Sequence, residues 1–289
     1  MKLRITYRIF CFIEVLFACY GAAAQTLRDT GARADSLVQA RAIDQAYALY
    51  TRLLYFSDSA NVSSLTQKLA ETASLSGDFE VAADCYGYLG RRAETAQQET
   101  EMAFMQIAAW LNADATDQAL RVLRDMDSSS MDEQQILRYY FYRGMVYEKA
   151  HAMDAAQQSF AVLCDHMPEA DAAQLRKIMW AQRRDCNIDP DRIARRSLLF
   201  PGLGQFSLGD YKNAVNSILL QAGIIAAGVG IGFYYSAADA IIFTTPFLAH
   251  YYLGGARAAR ELAERKLDRE LRRYYEIYRD FFARANLKY

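Results

Sequence analysis

The feature that most constrains the fold is a stretch from Ser197 to Ala256 with only three charged side chains, Asp210, Lys212 and Asp239. It contains two apolar segments, residues 214–235 and 237–256, of 22 and 20 residues. As helices they would measure about 33 and 30 Å. Each length matches the hydrocarbon core of a bilayer, which is about 30 Å thick. The sequence therefore predicts a transmembrane helical hairpin over residues 214–256.

Small residues in the first span predict how the two spans pack. Lipid offers no hydrophobic drive for helix association, so close backbone approach at small residues matters more. A GxxxG pair lies in this span, with two further small residues just before it. The predicted span-packing residues are Gly223, Ala227, Gly228 and Gly232.

The segment before the hairpin, residues 190–213, combines arginines with apolar residues and ends in a glycine-rich turn. Ile193, Leu198 and Leu199 alternate with arginines, which predicts an amphipathic helix on the membrane surface. The turn motif with Tyr211 resembles a two-span hairpin domain of bacterial membrane proteins, and the resemblance implies the hairpin topology. The motif residues are Pro201, Gly202, Gly204, Gln205 and Gly209.

A repeat precedes the hairpin. Four alanines, Ala46, Ala82, Ala119 and Ala156, are separated by 36, 37 and 37 residues. Large apolar residues recur four positions after each alanine. Small residues at such a period are typical of stacked pairs of antiparallel helices, in which they allow close packing. The large residues are Tyr50, Tyr86, Leu123 and Phe160.

Residues 25–168 resemble tetratricopeptide repeats, most clearly where Gly144, Tyr147, Ala156, Phe160 and Pro168 take that family's spacing. The resemblance implies an α-solenoid of about four helix pairs, whose first helices form a concave groove for a partner peptide. A generic alanine-rich helical bundle is the alternative. The groove positions that the resemblance implies are Gln67, Glu71, Phe104, Ala108, Phe141, Met145 and Glu148.

The remaining segments complete an all-α prediction. Residues 169–189 are predicted to be a capping helix and linker, because a terminal repeat exposes an apolar face. Residues 257–289 are predicted to be an amphipathic C-terminal helix that docks on the repeats, lies along the membrane or forms a dimer face. The hairpin is a second candidate surface for a homo-oligomer.

Residues 1–24 are typical of a secretory signal peptide, with a basic start, an apolar middle and three alanines before Gln25. Lipidation at Cys19 is an alternative. A signal predicts an inner-membrane protein with its repeats and C-terminus in the periplasm. Arginines beside the spans favour the opposite orientation, but long domains translocate largely regardless of charge.

Residues 25–189 contain 16 Lys and Arg against 24 Asp and Glu, a net charge of −8. This favours a partner of basic character and disfavours nucleic acid. The cysteines that follow the predicted signal peptide, Cys85, Cys164 and Cys186, show neither metal-ligand nor redox spacing and are predicted to pack as free thiols.

No catalytic constellation, metal-ligand pattern or cofactor motif stands out, so the sequence predicts no enzyme, no metal site and no cofactor. The predicted function is a membrane-anchored, non-enzymatic scaffold that binds a protein or peptide in the bacterial envelope. The alternative is a small transport or pore component built from oligomerised hairpins. Asn216, Gln221 and His250 would then line its path.

Overall fold

The computed structural model describes residues 28–57 and 61–285, and within these ranges every regular element is a helix. The all-α prediction is therefore confirmed for the described chain. The chain divides between Leu163 and Cys164 into two compact units. The predicted signal peptide and the alternative lipid site at Cys19 lie outside the described residues.

The first unit consists of successive helices joined by short turns. Asp78, Thr95 and Asp132 each accept a backbone N–H in the first turn of the helix that follows, which fixes where those helices begin. The helices are α1 (28–39), α2 (Ile43–Phe56), α3 (Val62–Ser76), α4 (Phe79–Gly90), α5 (Ala96–Asn112), α6 (Thr116–Asp125), α7 (Glu133–Lys149) and α8 (Met153–Cys164).

The aligned alanines lie on the second helix of each pair, α2, α4, α6 and α8, and all four are completely buried. The large residues four positions later are buried as well. Between α7 and α8 the approach is close, because a Cβ built on Gly144 would lie 2.2 Å from a ring carbon of Phe160. Small residues thus bring the helices of a pair together, as the repeat predicts.

The turn inside each pair has the same backbone geometry, which the sequence pattern does not reveal. Arg41, Gly77, Asp114 and His151 all have positive φ, between 58° and 88°. Each lies five residues before an aligned alanine, and each next residue donates its N–H to a carbonyl five positions back. These bonds run from Ala42 to Leu37, Asp78 to Ala73, Ala115 to Trp110 and Ala152 to Tyr147, all at 2.9 Å. This is a Schellman-type helix end repeated four times.

Glycine suits this turn best, so Gly77→Ala is expected to lower the free energy of unfolding by about 1 kcal/mol, because an L side chain is strained at positive φ. Urea unfolding followed by Trp110 fluorescence measures the change. Gly31→Ala is the matched control, because Gly31 lies within α1 and a Cβ there meets no atom within 4 Å. The control variant is expected to be neutral or slightly stabilised. Equal losses in both variants would contradict the strained turn.

Cys85, Cys164 and Cys186 are buried and form no disulfide within the described residues, as predicted. Burial, with smaller contributions from Asp84 and Asp78, raises the pKa of Cys85 to about 11. The thiolate is the reactive form, so near pH 8 its fraction should fall about 100-fold below that of an ordinary thiol. Cys85 is expected to react with maleimide at least that much more slowly in the folded protein than in denaturant, with the rate rising towards pH 11. Mass spectrometry of labelled peptides measures both rates, and equal rates would contradict this burial.

The second unit contains α9 (Glu169–Asp185), α10 (Pro190–Leu199), α11 (Leu203–Ser207), α12 (Tyr211–Tyr234) and α13 (Ala237–Arg284). Helix α13 is continuous over 48 residues. It joins the predicted second span and the predicted C-terminal helix into one element. The residues after Ala256 are rich in Ala, Arg, Glu and Leu, which are strong helix formers, so the helix does not stop where the apolar segment ends.

Helices α9 and α10 pack along the later part of α13. The hydroxyl of Tyr278 donates to Gln182 Oε1 at 2.8 Å, and that of Tyr274 donates to Asp185 at 2.8 Å. Ile193 on α10 is buried against Ala259 and Ala263. Ile193 was predicted to face the membrane surface. This prediction is wrong, because Ile193 packs between α10 and α13. The C-terminal aromatic residues offered a dimer face or a core in the sequence, and of these Tyr274, Tyr278, Phe281 and Phe282 are buried while Tyr275 is half-buried.

Candidate membrane anchor and binding surfaces

Helix α12 and the first part of α13 run antiparallel and pack closely. A Cβ built on Gly228 would lie 2.6 Å from the Thr244 hydroxyl, and one on Gly232 would lie 3.5 Å from Ala240 Cβ. At the other end of the pair, a Cβ on Gly255 would lie 3.4 Å from Ser217 Oγ. The absence of a side chain at Gly228 therefore allows the close approach of the two helices, whereas a Cβ at Gly232 would make an ordinary contact.

The structure places the four predicted span-packing residues on different faces of α12. Gly228 and Gly232 face α13, whereas Gly223 and Ala227 are exposed and a Cβ on Gly223 meets nothing within 4 Å. The buried stripe consists instead of residues seven apart, Ala214, Gln221 and Gly228. That spacing keeps one face of a helix towards its neighbour.

The polar residues of this region also lie apart. Ser236 caps the start of α13: its hydroxyl accepts the Asp239 N–H and donates to the Asp239 carboxylate. Gln221 is buried in the α12–α13 contact, while Asn216 and His250 are exposed. The residues proposed to line a pore therefore do not share one face of a single hairpin.

Helix α12 is the one helix in the described chain that is long and apolar enough to cross a membrane, and only 17% of its most apolar window is buried. A core helix of that composition would be mostly buried. The first part of α13 also points large apolar side chains outward. The exposed residues on both helices are Val215, Ile218, Leu219, Leu220, Ile225, Val229, Phe233, Ile241, Ile242, Phe243, Phe247 and Leu253.

Two membrane spans were predicted. Among the described helices, one is long and apolar enough to cross a membrane by itself. The second apolar segment is less apolar because it contains Asp239, Pro246 and His250. It also continues without interruption into the charged part of α13. Its insertion into a membrane would consequently depend on its packing against α12.

A buried polar network, here called the clasp, joins α10, α11 and α13. The Ser197 hydroxyl donates to Gln205 Oε1 at 3.1 Å and accepts the Gly204 N–H at 3.0 Å. The Gln205 side-chain amide donates to the Gly255 carbonyl at 3.1 Å. Ser197 and Gln205 are both buried, so the network must be satisfied internally. The clasp thereby fixes the base of the α12–α13 pair.

The glycines of the turn motif are required by this packing. A Cβ on Gly204 would lie 2.3 Å from Ser197 Oγ and 2.7 Å from the Ile193 carbonyl oxygen. Gly202 has a φ of 80°, and a Cβ there would lie 2.5 Å from the Ala214 carbonyl oxygen. Pro201 is half-buried beside it, and Gly209, with a φ of 84°, directly precedes the residue that caps α12. All five motif residues thus lie at the junction of α10, α11 and α12.

The seven predicted groove residues are distributed over the first helices α3, α5 and α7, with unequal access to solvent. Phe104, Met145 and Glu148 are 0%, 4% and 1% exposed and belong to the interior. Phe104 stacks on Tyr142 with ring centroids 5.4 Å apart and lies under the Arg138 guanidinium. The accessible members are Gln67 and Glu71, which bond to each other, and the half-buried Ala108 and Phe141.

Within residues 28–57 and 61–285, no three His, Cys, Asp or Glu side chains cluster in a way that would hold a metal ion. Comparison with protein-family models, with curated proteins and with solved structures gave no match. The resemblances to tetratricopeptide repeats and to the two-span hairpin domain consequently depend on the quoted residues. The functional proposal depends on the geometry of the two units.

Proposed function

We propose that this protein is a membrane-anchored, non-enzymatic scaffold of the bacterial envelope. In this proposal α12 and residues 237–256 of α13 form a hairpin in the inner membrane. The helix pairs of the first unit, outside the cytoplasm, bind a protein partner. The observation that carries the proposal is the exposed apolar surface of α12, of which 17% of the most apolar window is buried.

Lipid is the solvent that fits this surface. Exposed apolar patches on soluble monomers rarely exceed a few hundred Å². Here a dozen large apolar side chains are exposed along two adjoining helices. Asp239 bonds to Ser236 at the turn, and the next Asp, Glu, Lys or Arg is Arg257, so the intervening surface carries none of these side chains. Helix α12, with 24 residues, is about 36 Å long, enough to cross the hydrocarbon core.

The anchor is tested by fractionating cells that produce the full-length chain. The protein is expected in the membrane pellet after an alkaline carbonate wash, and in solution only after detergent is added. A variant lacking residues 211–256 is the control and is expected to leave the pellet. Recovery of the full-length chain in the aqueous fraction without detergent would contradict the anchor.

The repeat unit supports the binding part of the proposal. Four helix pairs with the same turn geometry support a repeated arrangement in which α3, α5 and α7 are the first helices of their pairs. Stacked pairs of this kind present extended surfaces suited to peptides. The accessible groove residues combine amide, carboxylate and apolar groups, and the net charge of −8 over residues 25–189 favours a basic partner segment.

A photo-reactive phenylalanine analogue placed at Gln67 or at Phe141 tests this surface in living cells. We expect each position to crosslink the same partner band, because both belong to first helices. The analogue at Gln158, an exposed residue on the second helix α8, is the matched control and is expected to give no band. Equal crosslinking from Gln158, or none from the two groove positions, would argue against a groove on the first helices.

A further inference from the structure

The end of α10 together with α11, residues 195–206 and here called the foot, exposes apolar and basic side chains side by side. Leu199, Phe200 and Phe206 are 71%, 68% and 56% exposed. Arg195 and Arg196 precede Leu199 by four and three residues, so these side chains share one face of the helix. Such a mixture is typical of helices that lie in the headgroup region of a bilayer.

Internal bonds hold the foot at a defined level of α13. The clasp ties Gln205 to the Gly255 carbonyl. The hydroxyl of Tyr252 donates to the Leu198 carbonyl. Leu253 is the last large apolar residue exposed on α13, and Arg257 follows one turn later. The foot therefore lies where the apolar surface of the hairpin ends and basic residues begin.

Three arginines at this level form no ion pair within the described residues. Arg192 pairs with Asp189, and Arg260 pairs with Asp191 and Glu264. Within the part of the chain that the structure describes, no acidic side chain lies within ion-pair distance of the exposed Arg195, Arg196 and Arg257. Guanidinium groups beside an apolar surface suit phosphate groups, which they bind in a bidentate manner.

We propose that Arg195, Arg196 and Arg257 form a binding site for the phosphate groups of anionic phospholipids at the base of the hairpin. The site rests on the proposed anchoring, because it requires the foot to lie in the headgroup region. Anionic rather than zwitterionic lipid fits, because the three arginines add positive charge that no ion pair within the described residues neutralises. The clasp gives the site its fixed geometry.

Lipid binding to the full-length protein in neutral detergent micelles tests the site. Native mass spectrometry compares phosphatidylglycerol with phosphatidylcholine of the same chain length. We expect the anionic lipid to bind at least about 10-fold more tightly. Arg195→Gln with Arg196→Gln is expected to weaken phosphatidylglycerol binding about 30-fold and leave phosphatidylcholine binding unchanged. Arg257→Gln, which contacts no clasp atom, provides a second variant with an expected loss of about 5-fold.

The matched control is Arg265→Gln with Arg269→Gln, which removes the same charge from exposed residues further along α13. Its phosphatidylglycerol binding is expected to equal that of the unchanged protein. Equal affinity for the two lipids, or an equal loss in the control, would overturn the site. Displacement of phosphatidylglycerol by inorganic phosphate at constant ionic strength would also overturn it, because the site would then be one for free phosphate.

The result of this lipid-binding experiment can be distinguished from the result of the membrane-fractionation experiment. If the protein stays in the membrane pellet but shows no preference for anionic lipid, the headgroup site fails and the anchor stands. If the protein leaves the pellet, the anchor itself fails.

Discussion

Arginine at both Ile225 and Phe247 is expected to abolish membrane retention of this protein. The two side chains lie near the middle of α12 and of the apolar part of α13, and they are 53% and 59% exposed. Neither therefore has a buried protein environment that would keep the arginine out of lipid. An arginine at the centre of a spanning helix is unfavourable by about 2.5–3.5 kcal/mol. Two such arginines should together disfavour insertion of the hairpin into the membrane by about 6 kcal/mol.

The measurement is the fraction of protein in the carbonate-washed membrane pellet, which should fall from nearly all to background. Ile225→Leu with Phe247→Leu is the control, since it changes the same positions and keeps them apolar. This control should remain in the pellet. An arginine variant that is retained as well as the leucine variant would mean that these faces do not meet hydrocarbon.

Gly204→Ala is expected to destabilise the second unit by about 4 kcal/mol. The added Cβ would lie 2.3 Å from Ser197 Oγ, 2.7 Å from the Ile193 carbonyl oxygen and 3.0 Å from Ala259 Cβ. All three groups belong to the backbone or to a short side chain, so none can move aside easily. The substitution would separate α10 from α11 and leave the buried Ser197 and Gln205 side chains without their bonds.

Thermal unfolding in detergent, followed by circular dichroism, measures this effect. Gly223→Ala is the matched control, because Gly223 lies within α12 and a Cβ there meets nothing within 4 Å. Alanine favours a helix over glycine by about 1 kcal/mol, so the control should be as stable as the unchanged protein or more so. Trypsin should also cut the Gly204→Ala variant faster at Arg195 and Arg196. Equal melting of the two variants would show that the clasp contributes little.

The sequence was most informative where a pattern had a short-range physical cause. Alanines spaced by 36 and 37 residues predicted the helix pairs, because small residues at a regular period allow two helices to pack closely. The left-handed turn residues were not predicted. Glycine, the residue that most readily takes a positive φ, occupies this turn position only at Gly77. The other three turn residues are Arg41, Asp114 and His151, whose identities did not indicate the turn.

The features that the sequence did not predict depend on contacts between residues that are far apart along the chain. Pro201 and the motif glycines indicated a turn, but their role in the clasp depends on Gly255, fifty residues from Gln205. Ile193 was assigned to the membrane surface because its helix is amphipathic, and α13 turned out to cover it. The family resemblance assigned Phe104, Met145 and Glu148 to the groove, but all three are buried. Their burial depends on neighbouring helices, which a local sequence pattern does not specify.

The central claim is that the outer face of α12 lies in lipid hydrocarbon. Nitroxide labels at Ile218, Ile225 and Val229, in full-length protein reconstituted into bilayers, test it by electron paramagnetic resonance. All three side chains are more than half exposed on α12. We predict that each label collides more often with oxygen, which concentrates in hydrocarbon, than with a water-soluble nickel chelate. Chelate collision at these positions as frequent as at a label on Arg269, an exposed residue beyond the hairpin, would contradict the account.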